Sequence, residues 1–472
     1  MLFNSYLFVL CFLPVCVWGF HSKKKIGNET STKIFLIVVS LVFLGLSDVL
    51  SALMLLVSMS INYALYCGMS QSGKKKPWLI AGLTVNILTL FVFKYTGLTF
   101  VPLGISFFTF TQIAFLMEAY RGTLGRTSLA DYSAYVTFFP KIMQGPIMLP
   151  EEMQGQLDSV MRKHDFNWEA AYRGFVLFTL GLSKKVLLAD TLGKAVEHGY
   201  TNLSALHTGD AWILMLSYTL QLYFDFSGYC DMAMGVAQML GFCLPLNFHS
   251  PYKAENIIEF WKDWHITLTR FFTKYLYIPL GGNRKGKART YFNILFVFLV
   301  SGIWHGVGVT FVVWGMLHGV LNVITRWWQE KRGKKEKGRI GHILSVAATF
   351  LYVNVAWVFF RATSVEQALE VLGKLVSFEF EKINRNFAKS FILDEFWYVI
   401  KVLRFDKYDW ADYILMFAIL LVALLIVFFA KTAVDVCGKL RPTVVNTVIL
   451  SVLITWCILT FSNVSSFLYV NF

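Results

Sequence analysis

The stretch SGIWHGVGVTF, residues 301–311, sets one imidazole, His305, between a tryptophan and a glycine in a run otherwise as apolar as lipid. No charged residue falls between Arg289 and Arg326, a length that accommodates two helical crossings of roughly 17 to 25 residues each. Basic clusters flank the run on both sides, GNRKGKAR at 282–289 and RWWQEKRGKKEKGR at 326–339. Such clusters mark cytoplasmic loops, so the chain leaves and re-enters from one side, in segments near 291–313 and 314–328, with His305 at or near the turn. An ionisable side chain at that depth costs free energy and by default marks a cavity or a functional site. Neutral imidazole is the least expensive such group to bury, so a structural hydrogen bond is the competing reading. If His305 works, its ordinary pKa of ~6.5 suits a general base.

The rest of the chain has the same character. Of 472 residues, 56% are hydrophobic, 17% aromatic and only 15% charged, which excludes an ordinary soluble domain. The reading is an all-α integral membrane protein, because only helices satisfy the backbone of such segments in lipid. Residues 1–20 lack the basic start and small-residue cleavage site of a signal peptide and are taken as a first spanning helix. The seven cysteines contain no C-x-x-C pair, which argues against a disulfide framework or a zinc site. The formal charge of +14 is dispersed in short clusters between apolar segments and reports topology rather than nucleic acid; attraction to anionic lipid or to a phosphate-bearing substrate stays open.

With HSKKK (21–25) and SGKKK (72–76) cytoplasmic, the N-terminus is outside and residues 34–69 cross twice, turning at Ser47-Asp48. Further segments fall near 78–93, 100–119, 132–149, 170–189, 211–224, 229–246, 342–360, 412–430 and 443–462. Pro140 and Gly145-Pro146 break one of them and Gly302, Gly306 and Gly308 another, and broken helices at membrane depth belong where they line a cavity or are enclosed by protein. Residues 361–411 form the longest polar stretch, placed outside as a connecting loop or a docking surface. No repeat or linker divides the chain, so residues 1–472 read as a single polytopic membrane domain.

In ENIIEFWKDWHITLTRFFTKYLYIPLGGN, residues 255–283, helical spacing puts Glu259, Lys262, Asp263, Arg270 and Lys274 on one stripe, with Phe260, Trp264, Leu268 and Phe271 opposite. An amphipathic helix is expected, with His265 at the border of its two faces. GGNRKGK matches a P-loop from Gly281 to Lys287 but has Ala288 where Ser or Thr is required. His265, His305 and His318 follow no short metal-ligand spacing, so no metal is expected. Asp225 and Asp231, in LQLYFDFSGYCDMAMG (220–235), are able to orient a histidine, relay protons or pair with buried Lys or Arg. Intramembrane acids and broken helices also suit a proton-coupled transporter, although no inverted repeat supports one.

Taken in order, YFDFSGYCDMAMGVAQMLGF, PLNFHSPYKAENIIEFWKDWHITLTRFFTKYLYIPLGGNRKG and SGIWHGVGVTFVVWGMLHG resemble the membrane-bound O-acyltransferase (MBOAT) family, in the bacterial branch that O-acetylates alginate and peptidoglycan. FFPKIMQGPIMLPEEM (138–153) and WVFFRATSVEQAL (357–369) resemble it too, so the recognisable blocks run from about 138 to 369, while the flanks match only in hydropathy. Departures are local: Lys262-Asp263 and threonines stand around His265 where the family has basic residues and serines, and Gly306-Val307-Gly308 replaces Gly-Ala-Gly.

The resemblance implies a multi-helix fold with short, broken and re-entrant helices around a central passage from the cytosolic face to an outward funnel. His305 matches the catalytic histidine of the W-H-G motif and His265 the second histidine, in F-W-x-x-W-H. The expected activity is transfer of an acyl group, acetyl in this branch, from a cytosolic thioester to a hydroxyl of a cell-surface polysaccharide. Acetyl-CoA or another acyl thioester is donor substrate, and no bound cofactor is expected. The expected partners are the lipid bilayer, an acyl-CoA or acylated carrier protein, and an extracytoplasmic SGNH-type acyltransferase. The expected location is the bacterial plasma (inner) membrane. Trp264, Trp304 and Asp225 are assigned to the passage, and Arg284, Lys285, Lys287 and Arg289 to the donor phosphates. The alternatives are D-alanyl transfer to teichoic acid from a carrier protein, and the transporter.

Overall fold

Backbone N–H and C=O groups in an apolar chain must pair within the chain, and helices pair them locally. The computed structural model, which describes residues 1–162, 165–333, 338–393, 398, 401–404, 407–463 and 467–468, has helices and no strand among the described residues. Six of those helices are long and apolar enough to cross a membrane, spanning Leu7–Ile26, Val49–Gln71, Lys75–Tyr95, Val309–Arg332, Arg339–Arg361 and Asp409–Phe429. The protein is a multi-pass membrane protein.

In chain order the elements are α1 (Leu13–Ile26), α2 (Glu29–Gly45), α3 (Val49–Gln71), α4 (Lys75–Tyr95), α5 (Ile105–Arg121), α6 (Leu129–Thr137), α7 (Phe139–Ile142), α8 (Pro150–Arg162), α9 (Trp168–Ser183) and α10 (Asp190–Thr201). They continue with α11 (Thr208–Met239), α12 (Ile257–Asp263), α13 (Ile266–Phe272), α14 (Lys287–His305), α15 (Val309–Arg332), α16 (Arg339–Arg361), α17 (Val365–Val376), α18 (Arg385–Lys389), α19 (Asp409–Phe429), α20 (Ala433–Lys439) and α21 (Val444–Leu459). The turn expected at Ser47-Asp48 is present: Asp48 caps α3 by accepting a hydrogen bond from the Ser51 N–H at 2.8 Å. The break expected at Pro140 and Gly145-Pro146 is also present, and residues 143–149 run without helix through the interior, every one buried. Part of the 361–411 stretch (394–397, 399–400 and 405–406) and residues 334–337 of the basic cluster lie outside the described residues.

Two expectations are corrected. The segments 211–224 and 229–246 are instead one helix through residue 239, α11, 32 residues long. At Gly228 this helix closes on its neighbour: a Cβ there would stand 2.8 Å from the Gly181 carbonyl oxygen of α9. The two acids are paired in place, Asp231 with Lys184 at 2.6 Å and Asp225 with Lys185 at 2.7 Å, an ammonium it shares with Asp190 at 2.8 Å. The second correction concerns residues 255–283, where the single amphipathic helix is split into α12 and α13 at Trp264-His265. His265 takes a left-handed backbone, φ 46°. The backbone groups freed by that break pair with the incoming chain, His249 N–H with the Asp263 carbonyl and Ile266 N–H with the Asn247 carbonyl, both at 3.0 Å. Tertiary hydrogen bonds thus override the helical period.

Candidate active site

His305 is the last residue of α14, and the chain turns extended at Gly306 before α15 begins at Val309. The turn is tight enough that a Cβ on Gly306 would lie 2.2 Å from the Phe311 ring. Gly302 and Gly315 let the two helices close on one another, since a Cβ on either would come 2.4 Å from a carbonyl oxygen of the facing helix. The His305 ring is thereby held edge-on against Trp314 (centroids 5.0 Å apart), Phe360 (5.1 Å) and its neighbour Trp304 (4.7 Å). Only 3% of His305 is exposed, so it is enclosed by protein rather than facing lipid.

His265 occupies the break between α12 and α13 and is likewise buried, not at an interface border. Asn247 explains its orientation. The Asn247 Oδ1 accepts from the Thr267 N–H (3.2 Å) and the Thr267 hydroxyl (2.8 Å), while its Nδ2 donates to Cys230 Sγ (3.2 Å). A backbone N–H only donates, so the carboxamide is fixed with oxygen toward α13, and His265 Nδ1, 3.1 Å from that oxygen, must carry the proton. Nε2 is then the bare, proton-accepting nitrogen, and it is buried with no hydrogen-bond partner among the described residues. Phe226 of α11 packs edge-on against the ring at 4.7 Å.

The two histidines share one interior. His318 of α15 accepts a hydrogen bond from the Trp261 indole at 3.3 Å and stands 5.1 Å from Trp314. An aromatic wall runs from Trp264 through Trp357 (4.9 Å) to Trp314 (5.6 Å) and so to His305. The indole N–H groups of Trp304 and Trp314 are buried without an acceptor among the described residues.

The family model for the membrane-bound O-acyltransferase family matches residues 36–360, a span that holds both histidines. The chain belongs to the membrane-bound O-acyltransferase family. It is 37% identical over 422 residues to the peptidoglycan O-acetyltransferase of Helicobacter pylori, covering 80% of each chain. It is 34% identical over 415 residues to the probable alginate O-acetylase AlgI of Pseudomonas syringae pv. tomato, covering 82% of this chain and 77% of that one. The teichoic acid D-alanyltransferase of Bacillus subtilis is more distant, 28% identical over 276 residues, covering 55% of this chain and 68% of that one. The likeness starts well before residue 138, contrary to the expectation of hydropathy alone in the first part of the chain.

This O-acyltransferase uses some of the remaining sequence candidates differently. Trp264 lies on the aromatic wall, whereas Trp304 faces away from it, stacked on Phe110 of α5 at 5.0 Å. Asp225 accepts from Lys185 Nζ and, at 3.0 Å, from the Leu468 N–H; its carboxylate is committed to an ion pair between α11 and the helical turn after α9. Lys287 is paired with Glu330 at 2.9 Å and Arg289 lies over Phe292, while Arg284 and Lys285 belong to the exposed turn before α14. Lys262 and Arg326 instead line a cavity of about 320 Å³ that reaches Ser301, one turn before His305, between α12–α13 and α14–α15. Among the described residues, no cluster of His, Cys, Asp or Glu is suited to a metal.

Asn247, Trp314, Phe360 and Lys94, which contact His265, His305 or Trp304, escaped the sequence reading. Asn247 sits in an irregular loop with no period to mark it. Lys94 at the end of an apolar segment looks like an ordinary interface lysine. His318 was visible only as a poor metal ligand.

Proposed function

We propose that the protein moves an acetyl group from a cytosolic thioester, acetyl-CoA as the first candidate, to a hydroxyl on the outer side of the bacterial plasma membrane, for O-acetylation of a cell-surface polysaccharide. The observation that carries this reading is the position of His305. The cavity holding Lys262 and Arg326 approaches it along α14 from the end bearing the basic clusters, and the turn just beyond it exposes Val307 and Val309. A base so placed is reachable from one side by a donor and from the other by an acceptor, with bulk water held away from the thioester. The names of the relatives at 37% and 34% identity favour acetyl over D-alanyl.

In the proposed reaction, His305 accepts the proton of the attacking hydroxyl as its oxygen bonds to the thioester carbonyl carbon. The carbon–sulfur bond then breaks and the leaving thiolate takes the proton from His305, which balances the step. Neutral His265, with its proton on Nδ1, presents a lone pair at Nε2, which suits holding the acceptor hydroxyl and does not suit polarising the carbonyl. Among the groups beside His305, the Trp314 N–H is a donor available to the carbonyl oxygen as charge develops there. Lys262 and Arg326 replace the 284–289 cluster as the cationic contacts for the donor. The acceptor is the polysaccharide itself or an SGNH-type extracytoplasmic partner carrying the group onward, and the N-terminus is outside.

Vesicles containing the purified protein test this. With labelled acetyl-CoA on the side of the basic loops, thiol release is expected to depend on a hydroxyl acceptor and on His305; vesicles that transport solute without any covalent transfer would contradict it.

A further inference from the structure

Where α14 stops at His305, its last four carbonyls have no intrahelical donor. Two of them are met from another helix. The Lys94 ammonium donates to the Trp304 carbonyl at 2.6 Å, and the Tyr95 hydroxyl donates to the Ile303 carbonyl. Both donors are the final residues of α4, more than two hundred positions earlier in the chain. The same ammonium stands 5.6 Å from the Trp304 ring centroid. No carboxylate pairs with Lys94 among the described residues, so the helix end itself is the counter-group, and a cation at a helix C-terminus is favourably placed for the macrodipole.

An ammonium within a membrane protein is costly, and an apolar side chain of equal length would fill this space without that cost. A lysine that only anchored the membrane boundary would extend its ammonium into water. Lys94 instead spends it on the carbonyl next to His305. We propose that Lys94, assisted by Tyr95, is a positioning residue for acyl transfer: a clamp from α4 onto the C-terminal carbonyls of α14 that fixes the angle at which His305 is presented. The proposal rests on the reading of His305 as the base. Loosening such a clamp shifts the base by a fraction of the distance known to cost on the order of 100-fold in rate, while leaving the donor cavity near Ser301, Lys262 and Arg326 unchanged.

Purified wild type, Lys94→Met, Lys94→Arg, Tyr95→Phe and His305→Ala are compared for thiol release from acetyl-CoA and for amide hydrogen exchange over residues 300–306. Lys94→Met is expected to lower kcat roughly 10- to 100-fold with KM for acetyl-CoA within about twofold, and to speed exchange in that segment. Lys94→Arg, which still reaches the carbonyl, restores a large part of kcat. Wild-type kcat in Lys94→Met, a change in KM alone, or a loss that Lys94→Arg does not recover with exchange unchanged overturns the proposal. Should Lys94→Met not accumulate, Tyr95→Phe carries the test, and unchanged kcat and exchange there overturn it. Full turnover by His305→Ala would instead defeat the base reading, with exchange at 300–306 still deciding the clamp. If wild type leaves acetyl-CoA intact, the donor assignment fails, and the same variants are compared by alkali-released ester in complemented cells.

Discussion

His305 and Trp314 meet at right angles, ring planes at 88° and centroids 5.0 Å apart, across the narrow turn that joins α14 to α15. Trp314 is fully buried, and its indole N–H has no acceptor among the described residues. A buried donor left unmatched beside a base is an expense that a developing oxyanion would offset.

Trp314→Phe keeps most of the ring while deleting that N–H. Steady-state kinetics should show kcat lowered on the order of 10²-fold with little change in KM, the size seen when one oxyanion donor is removed. Unaltered kcat would assign Trp314 to packing alone.

Asn247 holds His265 through a single oxygen that also receives both Thr267 donors. Asn247→Ala leaves these buried groups without a partner, at a cost of about 1–3 kcal/mol, and frees the ring to turn. Acceptor-dependent transfer should fall more than acceptor-independent thioester hydrolysis, because His265 is placed on the acceptor side of the reaction. Equal loss of both activities argues against that division.

Asp225 is bound to Lys185, with both side chains almost wholly buried. Lys185 also pairs with Asp190 at 2.8 Å, so Asp225→Ala removes one arm of a buried triad and leaves the Leu468 N–H without its acceptor, at a cost of about 1–3 kcal/mol. The amount of folded protein extracted from membranes should drop sharply, while activity per folded molecule stays near wild type. A well-folded variant with no turnover would return Asp225 to the substrate passage.

Ser301 lines the cavity one turn before His305 and is 4% exposed. Ser301→Phe should plug it, raising KM for the donor at least tenfold, and Lys262→Gln with Arg326→Gln should raise KM with kcat unchanged. Donor kinetics indifferent to all three substitutions would move the entrance elsewhere.

Much of this was legible in the sequence because hydropathy and charge are additive along a chain. The apolar helix pair α14 and α15, the turn beside His305 and the turn at Ser47-Asp48 follow from apolar length, flanking lysines and one Asp. Where the reading failed, side chains far apart in sequence decide the outcome. The gap left between segments 211–224 and 229–246 closes once Gly228 is seen against Gly181, and Asp225, assigned to the passage, is held by Lys185. His265 reads as an interface residue because its helix seems continuous; the bonds to Asn247 that break the helix and turn the ring inward are set by a loop 18 residues away. Lys94 is recognisable only once the end of α14 is seen beside it.

The central claim is that His305 drives transfer of acetyl to an envelope polysaccharide. The most direct test is the acetate released by mild alkali from envelopes of the source cell, comparing wild type, a deletion strain and the deletion complemented with His305→Ala at equal membrane protein level. The account predicts that ester-bound acetate disappears in the deletion and stays absent with His305→Ala. Wild-type acetate in the His305→Ala cells would contradict it, as would a loss of ester-bound D-alanine in place of acetate.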